Sequence, residues 1–201
     1  MIIIDGVVGC GKTTLAKKIS ERTGYVVYEE LQKQSTYKLL EKFYEDKNRW
    51  SFALQIHFLN ERFKMIKDIT NTEKKCILDR SIFGDRIFAS MLNEDGFMTD
   101  EEFETYDTLL NSMLEHCQMP SKLIYIDCNL ETAIKRINKR NRKMELDTPI
   151  SYWKRLNEKY NDWYNSYDLS DKVALDALSY DPNKMGDIDK IINELNLRKS
   201  F

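Results

Sequence analysis

"GVVGCGKT", residues 6–13, fills the pattern G-x-x-x-x-G-K-[ST] without a gap. The apolar run "IIID" (2–5) leads into it, and a helical pattern from Lys12 to about Arg22 leaves it. Strand, glycine-rich turn and helix is the setting in which consecutive backbone N–H groups converge on phosphate oxygens. Gly6, Gly9 and Gly11 let the backbone approach without Cβ clashes, and the helix N-terminus adds a favourable dipole. The Lys12 ammonium suits the β and γ phosphates, and the Thr13 hydroxyl suits Mg²⁺. The stretch therefore implies a nucleoside triphosphate and leaves the reaction open.

Working outward, four more short apolar runs read as strands: "YVVYE" (25–29), "KCILD" (75–79), "KLIYID" (122–127) and "KVALD" (172–176). Helical patterns lie between them. One fills 34–69, broken near "DKNRW", and another runs from the Thr99/Glu102 capping box to about Cys117. Others span 129–140, 149–165 and 183–196, the last opened by Pro182 and Asn183. Strands apolar on both faces and followed by helices predict an α/β fold: a five-stranded parallel sheet with helices on both faces. Ligands of such sheets bind beyond the carboxyl ends of the strands. Chemistry is therefore expected at 6–13, Glu30, 79–81 and 176–181.

The 201 residues carry 31 Lys plus Arg against 33 Asp plus Glu, a net charge of −2. This balance demands neither a nucleic-acid nor a membrane partner. No apolar run approaches the length of a membrane span, and "MIIID" reads as a strand rather than a signal peptide. Cys10, Cys76, Cys117 and Cys128 form no C-x-x-C pair, which suits a reducing, cytoplasmic compartment. Without linkers or repeats, residues 1–201 read as one domain.

A GTPase switch needs D-x-x-G and N-K-x-D elements, and neither occurs. A small-molecule kinase needs an acceptor site, a group to take the acceptor's proton, and cations around the transferring phosphoryl. "KRINKRNR" supplies Arg136 and Arg140 one turn apart and Arg142 two residues on, the composition of a lid (about 136–146) closing over phosphates. Glu29 and Glu30 end the second strand on opposite faces, and either is a candidate proton acceptor. "LDRS" ends the third strand with Asp79, placed for Mg²⁺ or its water, and Arg80, placed for the acceptor oxygen. In "RWSFALQIHFLNER" (49–62), Gln55 and Arg62 sit inside an apolar helical stripe of Phe52, Ile56, Leu59, Phe63 and Ile66. They form either a satisfied structural pair or two groups aimed at a polar ligand.

In this order and spacing the residues resemble the deoxyribonucleoside kinase family over almost the full length. "GVVGCGKTT" is similar to its P-loop, which adds Thr14 to the ATP-binding residues. Glu30 resembles the family's catalytic base, and "FYEDKNRWSFALQ" the segment with a sugar-contacting tyrosine, here Tyr44, and a base-reading glutamine, here Gln55. Arg62 follows seven residues later, and "DRSIFGDRIFAS" is similar to the element that ends in a base-reading aspartate, here Asp85. "RINKRNRKME" resembles the lid, with Glu145 holding the sugar 3′-hydroxyl; "LDALSYD" resembles the turn lining adenine. The family usually has proline at Leu31, often glycine at Asn141 and a second acid at Met144. The resemblance implies a P-loop kinase fold with an arginine-rich lid, and ATP with Mg²⁺. It also implies a homodimer and transfer of the γ-phosphoryl to a deoxyribonucleoside 5′-hydroxyl, with purines or deoxycytidine favoured over thymidine. The alternatives are a nucleoside monophosphate kinase of the thymidylate kinase kind and a non-catalytic nucleotide-binding regulator.

Overall fold

The computed structural model describes residues 1–30 and 34–197, the side chains of Lys143 and Met144 excepted. Leu31 and the Met144 side chain therefore lie outside the described residues. The chain runs β1 (Ile2–Asp5), α1 (Lys12–Thr23), β2 (Val26–Tyr28), α2 (Gln34–Glu45), α3 (Lys47–Thr70) and β3 (Cys76–Asp79). A 3₁₀ turn at Ile82–Gly84 then leads to α4 (Arg86–Glu94), α5 (Asp100–Leu114), β4 (Lys122–Asp127) and α6 (Leu130–Arg140). Next come α7 (Lys143–Leu146), α8 (Ile150–Ser166), β5 (Asp171–Asp176) and α9 (Met185–Glu194).

All strand pairs are parallel, in the order β2-β3-β1-β4-β5. The period-2 alternation of side chains feeds two apolar layers. Ile2, Ile4 and Ile77 join Leu15, Ile19, Leu156 and Ile188 in one; Ile3, Cys76 and Leu78 join Leu54, Leu59, Ile66 and Leu110 in the other. Burial on both faces is why the strands read as unbroken apolar runs. No helix among the described residues is long and apolar enough to cross a membrane.

The break foreseen near "DKNRW" falls at Asp46, whose extended backbone lets its carboxylate accept from the Arg49 N–H at 3.0 Å and start α3. Asp46→Ala should cost about 1 kcal/mol of stability, the usual worth of such a cap. A urea midpoint that does not move would remove Asp46 from the account of this helix start. The Thr99/Glu102 capping box opens α5 as expected.

The structure departs from the local expectations at four points. Helix α5 stops at Leu114, short of Cys117, because His116 and Cys117 turn back onto the carbonyls three residues earlier. Helix α9 starts at Met185 rather than at Pro182, because Asp181 accepts from the Asn183 N–H at 2.9 Å and holds a turn there. Helix α4 was not foreseen, since "DRSIFGDRIFAS" was read as a motif rather than as an element. The stripe on α3 is also rotated: Ser51, Leu54, Gln55, Leu59, Arg62, Ile66 and Ile69 are buried, while Phe52, Ile56 and Phe63 flank them half-buried. Gln55 and Arg62 thus lie at its centre.

Candidate active site

A cavity of about 820 Å³ opens beyond the carboxyl ends of β1, β2 and β3. Its wall takes in Gly9, Gly11, Lys12, Thr13, Thr14, Glu30, Tyr44, Gln55, Arg62, Asp79, Arg80, Arg136, Arg140, Arg142 and Glu145. Gly6 and Asp85, two of the candidate site residues, are set back from it.

The loop after β1 wraps into a cradle that requires glycine. Gly9 has φ +83, and a Cβ there would lie 2.6 Å from the Ala133 carbonyl oxygen of α6. The Lys12 ammonium folds back to donate to the Gly6 and Val7 carbonyls, both at 2.9 Å. The Thr13 hydroxyl donates to Asp79 Oδ2 at the end of β3. Asp79 Oδ1 is buried without a partner among the described residues. Burial pushes the Asp79 carboxyl up, against the pull of Lys12 and Thr13. An accessible hydroxyl beside a buried carboxylate with an unused oxygen fits Mg²⁺, which takes one or two carboxylates and completes its shell with phosphates and water.

The two glutamates after β2 part company. Glu29 pairs with Lys17 of α1 at 2.9 Å. Glu30 sits between two buried arginines, with Oε1 accepting from Arg62 Nη2 at 2.6 Å and Oε2 from Arg80 Nε at 3.0 Å. Burial alone would raise the Glu30 carboxyl, but the charges of Arg80, Arg62 and Lys12 override it and hold the group down at about 2. Arg80 adopts φ +67, a left-handed backbone uncommon outside glycine, held in the sheet by its N–H on the Ile4 carbonyl at 3.0 Å. Its guanidinium lies over the Phe88 ring, 4.9 Å from the centroid, and donates to the Tyr160 hydroxyl.

The other end of the cavity carries Gln55 and Arg62. Gln55 is 6% exposed as a residue, and its amide opens onto the cavity without a hydrogen bond among the described residues. Arg62 donates Nη1 to Asp85, stacks over Phe58 at 4.9 Å, and reaches Glu30 with Nη2. Asp85, 2% exposed, therefore meets the cavity only through Arg62. Burial raises the Asp85 carboxyl even with Arg62 beside it.

The arginines of α6 and after are not free to swing as a set. Arg136 is committed to backbone: Nη1 donates to the Cys10 carbonyl at 2.6 Å and Nη2 to the Ala177 carbonyl at 3.1 Å. Arg140 and Arg142 both pair with Glu145, the latter at 3.5 Å. Tyr44 lies near this group; burial and the Glu145 charge push its phenol up to about 12. Asn141 caps α6 at φ +54, the conformation that explains glycine at this position in the family and asparagine here.

Two residues escaped sequence reading. Asp5, fully buried, accepts from the Gly6 N–H at 2.8 Å and the Ser81 N–H at 3.2 Å, tying the ends of β1 and β3 together. Tyr160, also fully buried, meets Arg80 from α8. Strand-end position pointed to Asp5; nothing local pointed to Tyr160.

A phosphate cradle on a parallel sheet, with carboxylates and arginines facing it across one cavity, defines a P-loop phosphotransferase. The deoxynucleoside kinase family model matches residues 2–197. The deoxyadenosine/deoxycytidine kinase of Bacillus subtilis is 37% identical over 199 residues, covering 97% of this chain and 91% of that protein. The deoxyguanosine kinase of Lactobacillus acidophilus is 37% identical over 190 residues, covering 90% and 82%. A deoxyadenosine kinase from M. mycoides, solved with bound dATP, superposes with a TM-score of 0.83 at 33% identity, covering 97% and 98% of the two chains. The chain belongs to the deoxynucleoside kinase family and is a kinase.

Proposed function

We propose that this enzyme transfers the γ-phosphoryl of ATP to the 5′-hydroxyl of a deoxyribonucleoside, in salvage, with purine deoxynucleosides or deoxycytidine preferred over thymidine. The observation that carries the reading is the Gln55 amide, open to the cavity beside Arg62 and without a hydrogen bond among the described residues, in the same cavity as the phosphate cradle. An amide presents a donor and an acceptor and pairs bidentately with a base edge. A site built for such bonds rejects bases that leave it unpaired.

In this reading Lys12 and the glycine-rich loop hold the donor phosphates, with Arg140 and Arg142 added when the 136–146 segment acts as a lid. Arg136 braces the loop from behind through the Cys10 carbonyl. Thr13 and Asp79 hold Mg²⁺, which neutralises phosphate charge when bound. Glu30 accepts the 5′-hydroxyl proton, and Arg80 keeps that point cationic. Tyr44 and Glu145 hold the sugar, Glu145 at its 3′-hydroxyl. Gln55, Arg62 and Asp85 read the base between Phe58 and Phe88, both in the cavity wall. The two relatives described above, which act on deoxyadenosine and deoxycytidine or on deoxyguanosine, support this substrate class. We place the enzyme in the cytoplasm as a homodimer on the family resemblance.

The test is a panel of nucleosides and nucleoside monophosphates with labelled ATP, read by thin-layer separation. Deoxyadenosine, deoxyguanosine or deoxycytidine should lead; phosphorylation confined to monophosphates would overturn the assignment. The cost of Arg62 and Asp85 can be read directly. A thymine 5-methyl crowds the space that the guanidinium fills. Arg62→Met with Asp85→Ala removes both buried charges together, and kcat/KM should move toward thymidine. Each lost charged hydrogen bond should cost the original substrate about 1.5–3 kcal/mol. A native enzyme with a tenfold or so preference for thymidine would sink this role for Arg62.

A further inference from the structure

The guanidinium of Arg62 is divided between two carboxylates that have different tasks. Nη1 goes to Asp85 and Nη2 to Glu30. The division leaves two buried atoms without partners among the described residues: Arg62 Nε and Asp85 Oδ2. Buried donors and acceptors are rarely left so, and each such atom calls for an explanation. A guanidinium laid side-on against one carboxylate uses Nε and one Nη for both oxygens. That arrangement would satisfy the two orphans at once, and it would withdraw Nη2 from Glu30.

The far end is correspondingly crowded. Both Glu30 oxygens are already occupied, Oε1 by Arg62 and Oε2 by Arg80. Each oxygen keeps a second lone pair, but a guanidinium N–H on it draws off charge and fills space, so Glu30 accepts a hydroxyl proton more readily once one arginine withdraws. Arg80 is the less mobile of the two, clamped by Phe88, the Tyr160 hydroxyl and its own sheet hydrogen bond. Arg62 is the one with an alternative place to go.

We infer that Arg62 is a two-position group through which the bound base sets the rate of the chemical step. In the empty site it occupies Glu30 Oε1. A base that offers an acceptor to the guanidinium draws it onto Asp85 and frees Oε1 for the 5′-hydroxyl. A base that cannot bring an acceptor up to the guanidinium, as when the thymine 5-methyl crowds it, leaves Glu30 engaged, so the penalty falls on turnover as well as on binding. The ligand shifts the equilibrium only through its different contacts with the two positions. The inference rests on the proposed base-reading role of Gln55 and Arg62 and adds a consequence which that role alone does not have: selection expressed in the rate at saturation.

The decisive measurement is the single-turnover rate at saturating nucleoside and ATP, which separates chemistry from product release. With the native enzyme, thymidine should react about tenfold or more slowly than the best substrate, the scale of one charge-assisted hydrogen bond. In Arg62→Met/Asp85→Ala the spread of these rates among bases should collapse, while KM values still differ through Gln55. A second readout needs no variant. In ¹⁵N-labelled native protein the Arg62 Nε–H signal should shift downfield and exchange more slowly when the preferred nucleoside is added without ATP. Equal single-turnover rates for all bases, with discrimination only in KM, would overturn the inference and leave the base-reading role intact. So would an Nε–H signal indifferent to the nucleoside, or a spread that survives the double substitution. Failure to phosphorylate any deoxynucleoside would overturn both.

Discussion

Lys12→Ala should leave the fold intact and lower turnover by about 10³–10⁵-fold, the range for removing a cation that stabilises a transferring phosphoryl group. Lys12 is 7% exposed and its ammonium rests on the Gly6 and Val7 carbonyls, so the loop already holds it at the mouth of the cradle. Transfer spreads negative charge over the equatorial oxygens, and a preorganised cation needs no rearrangement to meet it. Its charge also pulls on Glu30, which is held down, and on Asp79, where burial outweighs it and leaves the carboxyl raised. EDTA should abolish turnover of the native protein as well, because Thr13 and Asp79 alone supply no cation. Circular dichroism checks the fold of the variant. Full turnover by Lys12→Ala would remove the cradle from the mechanism, and full turnover in EDTA would remove Mg²⁺.

Glu30→Gln should keep nucleoside binding and lose about 10²–10⁴ in kcat, the usual worth of a general base. Glu29→Gln is the control, since its partner is Lys17 of α1 rather than the site arginines. The reverse result, with Glu29 essential and Glu30 dispensable, would show the wrong carboxylate to have been chosen. The pH dependence has a definite sign. Held at about 2, Glu30 is ionised at every working pH, so any acid limb of kcat/KM between pH 5 and 8 arises elsewhere. Its folded value lies below the ordinary 4.5, so its contribution to stability is complete above about 4.5 and is lost as pH falls from there toward 2. Acid unfolding of Glu30→Gln should lack that component. The variant should also melt lower at neutral pH, since Arg62 and Arg80 lose the carboxylate between them.

The phosphate loop, the five strands and most helices were legible because each signal is local. Residues 6–13 are contiguous, and burial on both faces of the sheet writes apolar runs directly into β1, β3 and β4. The Asp46 and Thr99 caps reach only three residues. Helix α4 was hidden because its nine residues adjoin a 3₁₀ turn inside a segment already read as a motif.

The sequence by itself determined the parallel α/β fold, the triphosphate cradle and the set of polar residues available for chemistry, because local periodicity and contiguous spacing encode them. Only the tertiary structure decided which of those residues meet. The chain of contacts Asp85–Arg62–Glu30–Arg80–Tyr160 joins residues separated by 23, 32, 50 and 80 positions. Strand alternation predicted opposite faces for Glu29 and Glu30, but β2 ends at Tyr28 and both line the cavity; that Glu29 meets Lys17 while Glu30 meets the arginines was decided by the tertiary structure. Arg136 read as a lid cation, and its place against the Cys10 and Ala177 carbonyls followed from the approach of α6 to the loop. A charge pattern states which groups are present; their pairing is set by strand order and helix packing, which bring distant residues within hydrogen-bond range and exclude the water that would otherwise serve as partner.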